Sequence, residues 1–368
     1  MGRLPKLAIG EIIRRCFHPV STIRISAAEL LQVLQRKEVM IVFLACSANS
    51  IRNLLVFDPL AHCHGVHDKM IGPAHPDLTS YYWIQLAATE DKLIFIKCSD
   101  DLAVEFRLWN IGKGFCRKLK PSARVYYIAC PIIVDHKIYF WDYFNVFYAM
   151  DISTGIVAWP KVHTSIINIG LAAAQAVTKH GHHIFYATTL AVLRYDTVAD
   201  KWESLPGLPE WRMHFAMSVV TGYLYIMGGE IRVSDEDETI PTACCIRLNL
   251  QTAEWEEMEP LQQPRCCHTA CVVENKIYVY GGLDAAGWHA LTIESYATKQ
   301  KTGWSTVALL EKDIQLLSDF AENFTVFRTI ITAVSFNLDG AIPPCSFTKD
   351  RYENDALKPL SLKTKSLY

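Results

Sequence analysis

Apolar and aromatic residues recur along the chain in short alternating runs, each closed by a turn rich in Gly, Asp, Asn or Thr. "ENKIYVYGG" starting at 274 is one such run. "TGYLYIMGG" at 221, "GHHIFYATT" at 181, "DHKIYFWDY" at 135 and "EDKLIFIKC" at 90 align with it without gaps, and "KEVMIVFLA" at 37 makes a sixth. Alternation with a period of two over four to eight residues predicts strands with one face buried. The copies follow one another at a loose spacing of about 40–50 residues, the length of one propeller blade.

Two further patterns flank each run. Ahead of it lies a small-residue apolar stretch, such as "IQLAAT", "ACPIIV", "LAAAQAV", "FAMSVV" or "HTACVV". Behind it come another strand, a polar turn and usually a tryptophan, as in "VFYAMDISTGIVAW" at 146, "AVLRYDTVADKW" at 191, "CIRLNLQTAEW" at 245 and "LTIESYATKQKTGW" at 291. Each unit therefore contains four short extended segments, which predicts a four-stranded antiparallel sheet. The small-residue strand belongs near a crowded axis and the tryptophan strand at the outside. One such sheet cannot bury both faces, whereas six packed radially can. The first unit lacks a small-residue strand, because Ser26 reads as an N-cap and Leu30, Leu31, Val33 and Leu34 form one helical face. The missing strand can come from "RTIITAVSFNL" at 328–338, which closes the ring and removes an open edge.

The paired glycines after an aromatic strand, with a spaced Tyr and Trp, resemble kelch repeats. Gly228, Gly229, Tyr223 and Trp255 match the motif, as do Gly281, Gly282, Tyr278 and Trp304; Trp159 and Trp202 mark two earlier units. The glycines are expected at positive φ. Units one to four lack the pair, with Thr188 and Thr189 at its place in the fourth, so their turns are expected to differ. The expected fold is all-β: a six-bladed kelch-type β-propeller over residues 37–340, with four antiparallel strands per blade. Residues 1–36 are expected to form a short helical segment, which also resembles the end of a BACK domain, and 341–368 a mobile tail.

Composition narrows the function classes. The 368 residues carry 36 basic and 38 acidic side chains, a formal charge of −2, so no overall field draws the chain to nucleic acid or anionic lipid. No apolar run approaches the ~18–20 residues of a membrane helix, and the N-terminus lacks a signal-peptide pattern. The twelve cysteines include two adjacent pairs and no C-x-x-C spacing, which reads as reduced thiols in a cytoplasmic protein. Histidines cluster as "HCHGVH" (His62, His64, His67) and "KHGHH" (His180, His182, His183). Both clusters fall at turns and are read as solvated loop residues, with no metal site and no cofactor expected. No nucleophile elbow or phosphate loop is present, so no catalytic residues are assigned and the chain is read as a non-enzyme.

What remains is surface. The longest insertion, at 230–243, carries Asp235, Glu236, Asp237 and Glu238, and its counterpart in the last unit carries Trp288 and His289. Arg124, Arg212 and Arg265 stand before small-residue strands, where the resemblance places partner-contacting arginines; they either touch a partner or pair within their blade. The resemblance implies a protein or peptide partner held on the propeller rim. It further implies kinship with kelch-like proteins that serve cullin-3 ubiquitin ligases through a BTB domain, a domain for which residues 1–36 are too short. Actin or cytoskeletal binding is the alternative, and a propeller enzyme a weaker one.

Overall fold

The structure, a computed structural model, describes residues 38–44, 53–58, 63–67, 83–88, 92–98, 104–110, 115–123, 125, 128–141, 146–158, 176–233, 238–273, 275–287, 290, 292–300, 302–307 and 332–337. The expected N-terminal helix and C-terminal tail lie outside them. Every described element is a strand. No helix among the described residues is long and apolar enough to cross a membrane.

The strands assemble into six four-stranded antiparallel sheets and one small three-stranded sheet among the described residues. Sheet one is Thr332–Asn337, Glu38–Leu44, Asn53–Asp58 and Cys63–His67, in spatial order from the inside outward. Its inner strand therefore comes from the far end of the chain, with Glu38 opposite Asn337 and Phe43 opposite Thr332. Sheet two is Trp83–Ala88, Lys92–Cys98, Val104–Asn110 and Phe115–Leu119. Sheet three is Ala129–Val134, Lys137–Trp141, Phe147–Asp151 and Val157–Ala158.

Sheet four is Ala176–His180, His183–Ala187, Val192–Asp196 and Lys201–Leu205. Sheet five is Ala216–Val220, Tyr223–Met227, Cys245–Asn249 and Trp255–Met258. Sheet six is Thr269–Val273, Lys276–Tyr280, Ile293–Ala297 and Trp304–Val307. The inner strands touch their neighbours from sheet to sheet, and those of sheets six and one meet. This is a β-propeller arrangement.

The core lies between sheets, where aromatic residues of the alternating runs interleave. Trp141 and Phe147 of sheet three pack on Tyr186, Tyr195 and Trp202 of sheet four, with Phe147 and Trp202 edge to face at 5.1 Å. Leu224, Ile226 and Leu248 of sheet five meet Phe185 and Val192 of sheet four, and Tyr225 and Met227 meet Ile277, Val279, Tyr296 and Trp304 of sheet six. In sheets five and six the outer-strand tryptophans also reach back to the chain before their blade. Trp255 Nε1 donates to the Gly207 carbonyl at 2.7 Å, and Trp304 Nε1 to the Glu259 carbonyl at 3.1 Å. The buried Trp304 indole thus fills the inter-sheet layer and satisfies its polar edge, and the partly buried Trp255 makes the same kind of bond. Trp159 is outside the described residues.

The glycine pairs take the expected conformation, with φ of 55° and 97° at Gly228 and Gly229 and 71° and 90° at Gly281 and Gly282. A Cβ on Gly282 would sit 2.4 Å from the Cys266 carbonyl oxygen, so both conformation and space exclude a side chain there. Sheet four solves the same turn with a hydroxyl. Thr188 Oγ1 accepts the Ala191 N–H at 3.0 Å, while the Thr188 N–H donates to the Ala191 carbonyl at 2.9 Å. A threonine that bonds its own backbone replaces two glycines that bend freely.

Candidate functional site

The stretch before each inner strand and the turn after each second strand lie at the same end of a sheet, because adjacent strands run antiparallel. In sheets five and six these stretches form one continuous rim. The Cys267 N–H donates to the His214 carbonyl at 2.8 Å and the Gly229 N–H to the Arg265 carbonyl at 2.8 Å, stitching one blade to the next. From this rim rises a hairpin, Glu230–Arg232 paired with Thr239–Pro241, whose first strand also pairs with Arg212–Met213 as the three-stranded sheet. Segment 234–237 at its tip, with Asp235, Glu236 and Asp237, lies outside the described residues, as do Arg124, Trp288 and His289.

Val233 and Ile240 flank that tip and are 56% and 42% exposed. At the tip end of the first hairpin strand the Arg232 guanidinium sits 4.3 Å from the centre of the Trp211 ring. The insertion that sequence marked by its acids therefore also displays aliphatic side chains to solvent.

Arg212 and Arg265 are placed differently from surface arginines: both are fully buried. Arg212 Nη1 donates to the carbonyls of Gly228 at 3.2 Å and Cys244 at 2.8 Å, and Nη2 pairs with Glu210. Arg265 repeats the arrangement one blade on. Its Nη1 donates to Gly281 and Thr292 at 3.1 and 3.3 Å, and its Nη2 to Thr292 Oγ1 at 2.9 Å and Glu294 Oε1 at 2.5 Å. Each guanidinium clamps the first glycine of its own turn. Of the two roles that sequence leaves open for these arginines, the hydrogen bonds are those of pairing within the blade.

Sequence reasoning missed a chemical cluster at the same rim. His214 and Cys267 occupy equivalent positions in successive repeats, two residues after Arg212 and Arg265, and both adopt left-handed backbone, φ 53° and 54°. Their side chains hydrogen-bond to one another. His214 Nδ1 lies 3.2 Å from Glu230 Oε2, which also accepts from Thr239 Oγ1 at 3.4 Å. Bonds to Cys267 and then to Glu230 raise the His214 imidazole to about 9, against the opposing effect of burial. The bond from Cys266 and then that to His214 lower the Cys267 thiol to about 5, while Cys266 is pushed up by its bond to Cys267 and by burial. A thiolate, an imidazolium and a carboxylate in series are the groups that activate a cysteine nucleophile. The visible signal was the alignment of "RMHFAMSVV" with "RCCHTACVV".

At the opposite end of sheet four, the hairpin turn brings the exposed His182 and the half-buried His183 and Asp196 together. His180 is not part of the cluster. The side chains of His62, His64 and His67 lie outside the described residues.

Comparison with known proteins places this geometry. The Kelch motif model matches residues 264–292, the Arg265 clamp and glycine turn of sheet six. Residues 264–292 thus carry a kelch motif. The chain is 26% identical over 132 residues to human Kelch repeat and BTB domain-containing protein 12, covering 36% of this chain and 19% of that one. It is 27% identical over 107 residues to beta-scruin of Limulus polyphemus, covering 29% and 12% respectively. An F-box/kelch-repeat protein of Arabidopsis thaliana is 32% identical over 91 residues, 25% of this chain and 23% of its own length. The kelch repeats thus match less than a quarter of the length of these relatives. Among solved structures, YjhT superposes with a TM-score of 0.56 at 14% identity, over 69% of this chain and 91% of its own. That similarity extends to the fold.

Proposed function

We propose that this protein is a non-catalytic recognition module, a six-bladed propeller whose rim at sheets five and six grips a peptide or loop of a protein partner. The observation that carries the reading is the rim hairpin. It is an insertion into the repeat, it exposes Val233 and Ile240, and the acidic segment 235–237 lies between them. Interfaces combine an apolar centre with a charged margin, and this hairpin supplies both in one short segment. Trp288 and His289 belong to the corresponding loop of the next repeat, and aromatic residues of this kind anchor interfaces. Kelch-repeat relatives with BTB and F-box names support a substrate-holding role related to cullin-3 adaptors. Similarity to the scruins keeps a cytoskeletal partner as the second reading.

Proximity labelling in cells with the whole chain and with a Val233→Ser/Ile240→Ser variant tests the rim. Partners lost in the variant are the expected result; identical partner sets would overturn it. Co-sedimentation with actin filaments separates the two partner classes.

A further inference from the structure

The hairpin turn of sheet four carries a cluster that protein recognition does not require. We propose that His182, His183 and Asp196 form a binding site for a single divalent transition-metal ion of the zinc class, at the end of the propeller opposite the rim hairpin.

The geometry is built rather than incidental. One ligand atom from each residue lies within 4.8 Å of the others, and Asp196 Oδ2 is 3.7 Å from His182 Nε2 and 3.5 Å from His183 Nε2. Two ligands of a tetrahedral zinc ion, each about 2.0–2.1 Å from the metal, stand about 3.3–3.4 Å apart. The two Asp–His separations need only tenths of an ångström of closure, and the imidazoles turn about their side-chain bonds to complete the set. The other carboxylate oxygen is already committed: Asp196 Oδ1 accepts the N–H groups of Val198 and Ala199 at 2.8 and 2.9 Å, which holds Oδ2 toward the imidazoles. Thr197 fixes the His182 backbone, with its N–H and its hydroxyl both donating to the His182 carbonyl at 3.1 and 2.8 Å. The bonds to Asp196 Oδ1 are outer hydrogen bonds of the kind that orient a ligating carboxylate.

Arg194 and Glu203, the other charged groups beside His183, pair with each other at 2.5 Å and leave the imidazole to the cluster. Three protein ligands leave the fourth position to water, as in open zinc sites. Two imidazole donors beside one carboxylate favour zinc, cobalt and nickel over calcium or magnesium, which prefer oxygen ligands.

The repeat provides an internal comparison. In sheet three the same turn places His136 Nε2 3.5 Å from Asp151 Oδ2, but Lys137 stands where sheet four has His183. An ammonium there supplies no lone pair, so the site belongs to sheet four alone of this pair.

Titration of the whole chain with Zn²⁺ by calorimetry, and with Co²⁺ by visible absorption, tests the proposal, using a Cys267→Ser background to remove a competing thiolate. The expected result is one ion per chain, a tetrahedral Co²⁺ spectrum, and a melting temperature that rises with added Zn²⁺. His183→Lys copies the residue sheet three already accommodates, so the hairpin folds; this variant and Asp196→Asn should each weaken binding by at least about 10-fold. His136→Ala should leave it unchanged. Absence of saturable binding, or binding that survives both ligand substitutions, overturns the assignment.

Discussion

Glu294→Ala measures whether the buried arginines hold the fold. Arg265 and Glu294 are 0% and 1% exposed, with Nη2 and Oε1 2.5 Å apart. Glu294 Oε2 also accepts the Gln262 N–H at 2.6 Å. Removing the carboxylate leaves a guanidinium without its counter-charge and a backbone donor without its acceptor. Breaking a buried pair from one side costs about 3–5 kcal/mol, and the orphaned donor, itself worth about 1–3 kcal/mol, moves the expectation to the upper end. The pair Arg194–Glu203 supplies the control, since its atoms are equally close, 2.5 Å, but both side chains are partly exposed; Glu203→Ala should cost under about 1 kcal/mol. Urea unfolding followed by tryptophan fluorescence reports both, because Trp202 and Trp304 are buried between sheets. Equal losses for the two variants would refute the claim that Arg265 is a structural clamp. The double variant Arg265→Met/Glu294→Leu removes both charges but leaves the Gly281 and Thr292 carbonyls without a donor, so it should recover only part of the loss.

Other outcomes follow from the same geometry. Gly222→Ala, at φ 79° with nothing within 4 Å of a new Cβ, should cost about 1–2 kcal/mol for the left-handed backbone alone, while Gly282→Ala adds a backbone collision and should cost clearly more; equal melting temperatures would refute the steric part. Iodoacetamide labelling of Cys267, followed by mass spectrometry, should reach half its maximal rate near pH 5 rather than near the ordinary thiol value of 9.0. His214→Asn, which tolerates the left-handed backbone, should move that midpoint upward, and an unchanged midpoint would dismiss the ion pair. Val233→Ser and Ile240→Ser, being solvent-exposed, should each change stability by no more than about 0.5 kcal/mol, so a larger loss in the melt would show that the hairpin is packed rather than displayed.

The strands were legible because each is written with a period of two and bounded by turn residues, and because the pattern repeats. A single copy such as Lys276–Tyr280 reads only as a hairpin arm; six copies in register, with a strand missing from the first, predict the pairing of Thr332–Asn337 with Glu38–Leu44 that the structure shows. The fate of the arginines was hidden for a specific reason. Their acceptors lie 16 residues on, at Gly228 and Gly281, and further on at Cys244 and Thr292, distances over which a strand period says nothing. The identical 16-residue step in both blades was the available clue. The His182–His183–Asp196 cluster was hidden for the same reason, since Asp196 joins the histidines only through the pairing of two strands.

These placements divide the labour of the repeat. Positions that recur from blade to blade, the arginine, the glycine pair and the outer tryptophan, are consumed by hydrogen bonds and packing within the propeller. A guanidinium that already serves two carbonyls and a carboxylate has little left for a partner. On the proposed reading, recognition rests on what the repeat does not specify: the hairpin at 230–241 and the sequence segment carrying Trp288. The His214–Cys267–Glu230 series lies at the foot of that hairpin, with Glu230 its first residue. Modifying the thiol would remove the Cys267 hydrogen bond that helps to hold His214 charged, and with it one of the ties between Glu230 and the neighbouring blade. Partner binding that weakens after alkylation of Cys267, yet survives in Cys267→Ser without alkylation, would show that the hairpin's seating depends on the state of this cluster. Binding indifferent to alkylation would mean that the hairpin is held by its other contacts, its pairing with Arg212–Met213 and the Arg232–Trp211 contact among them.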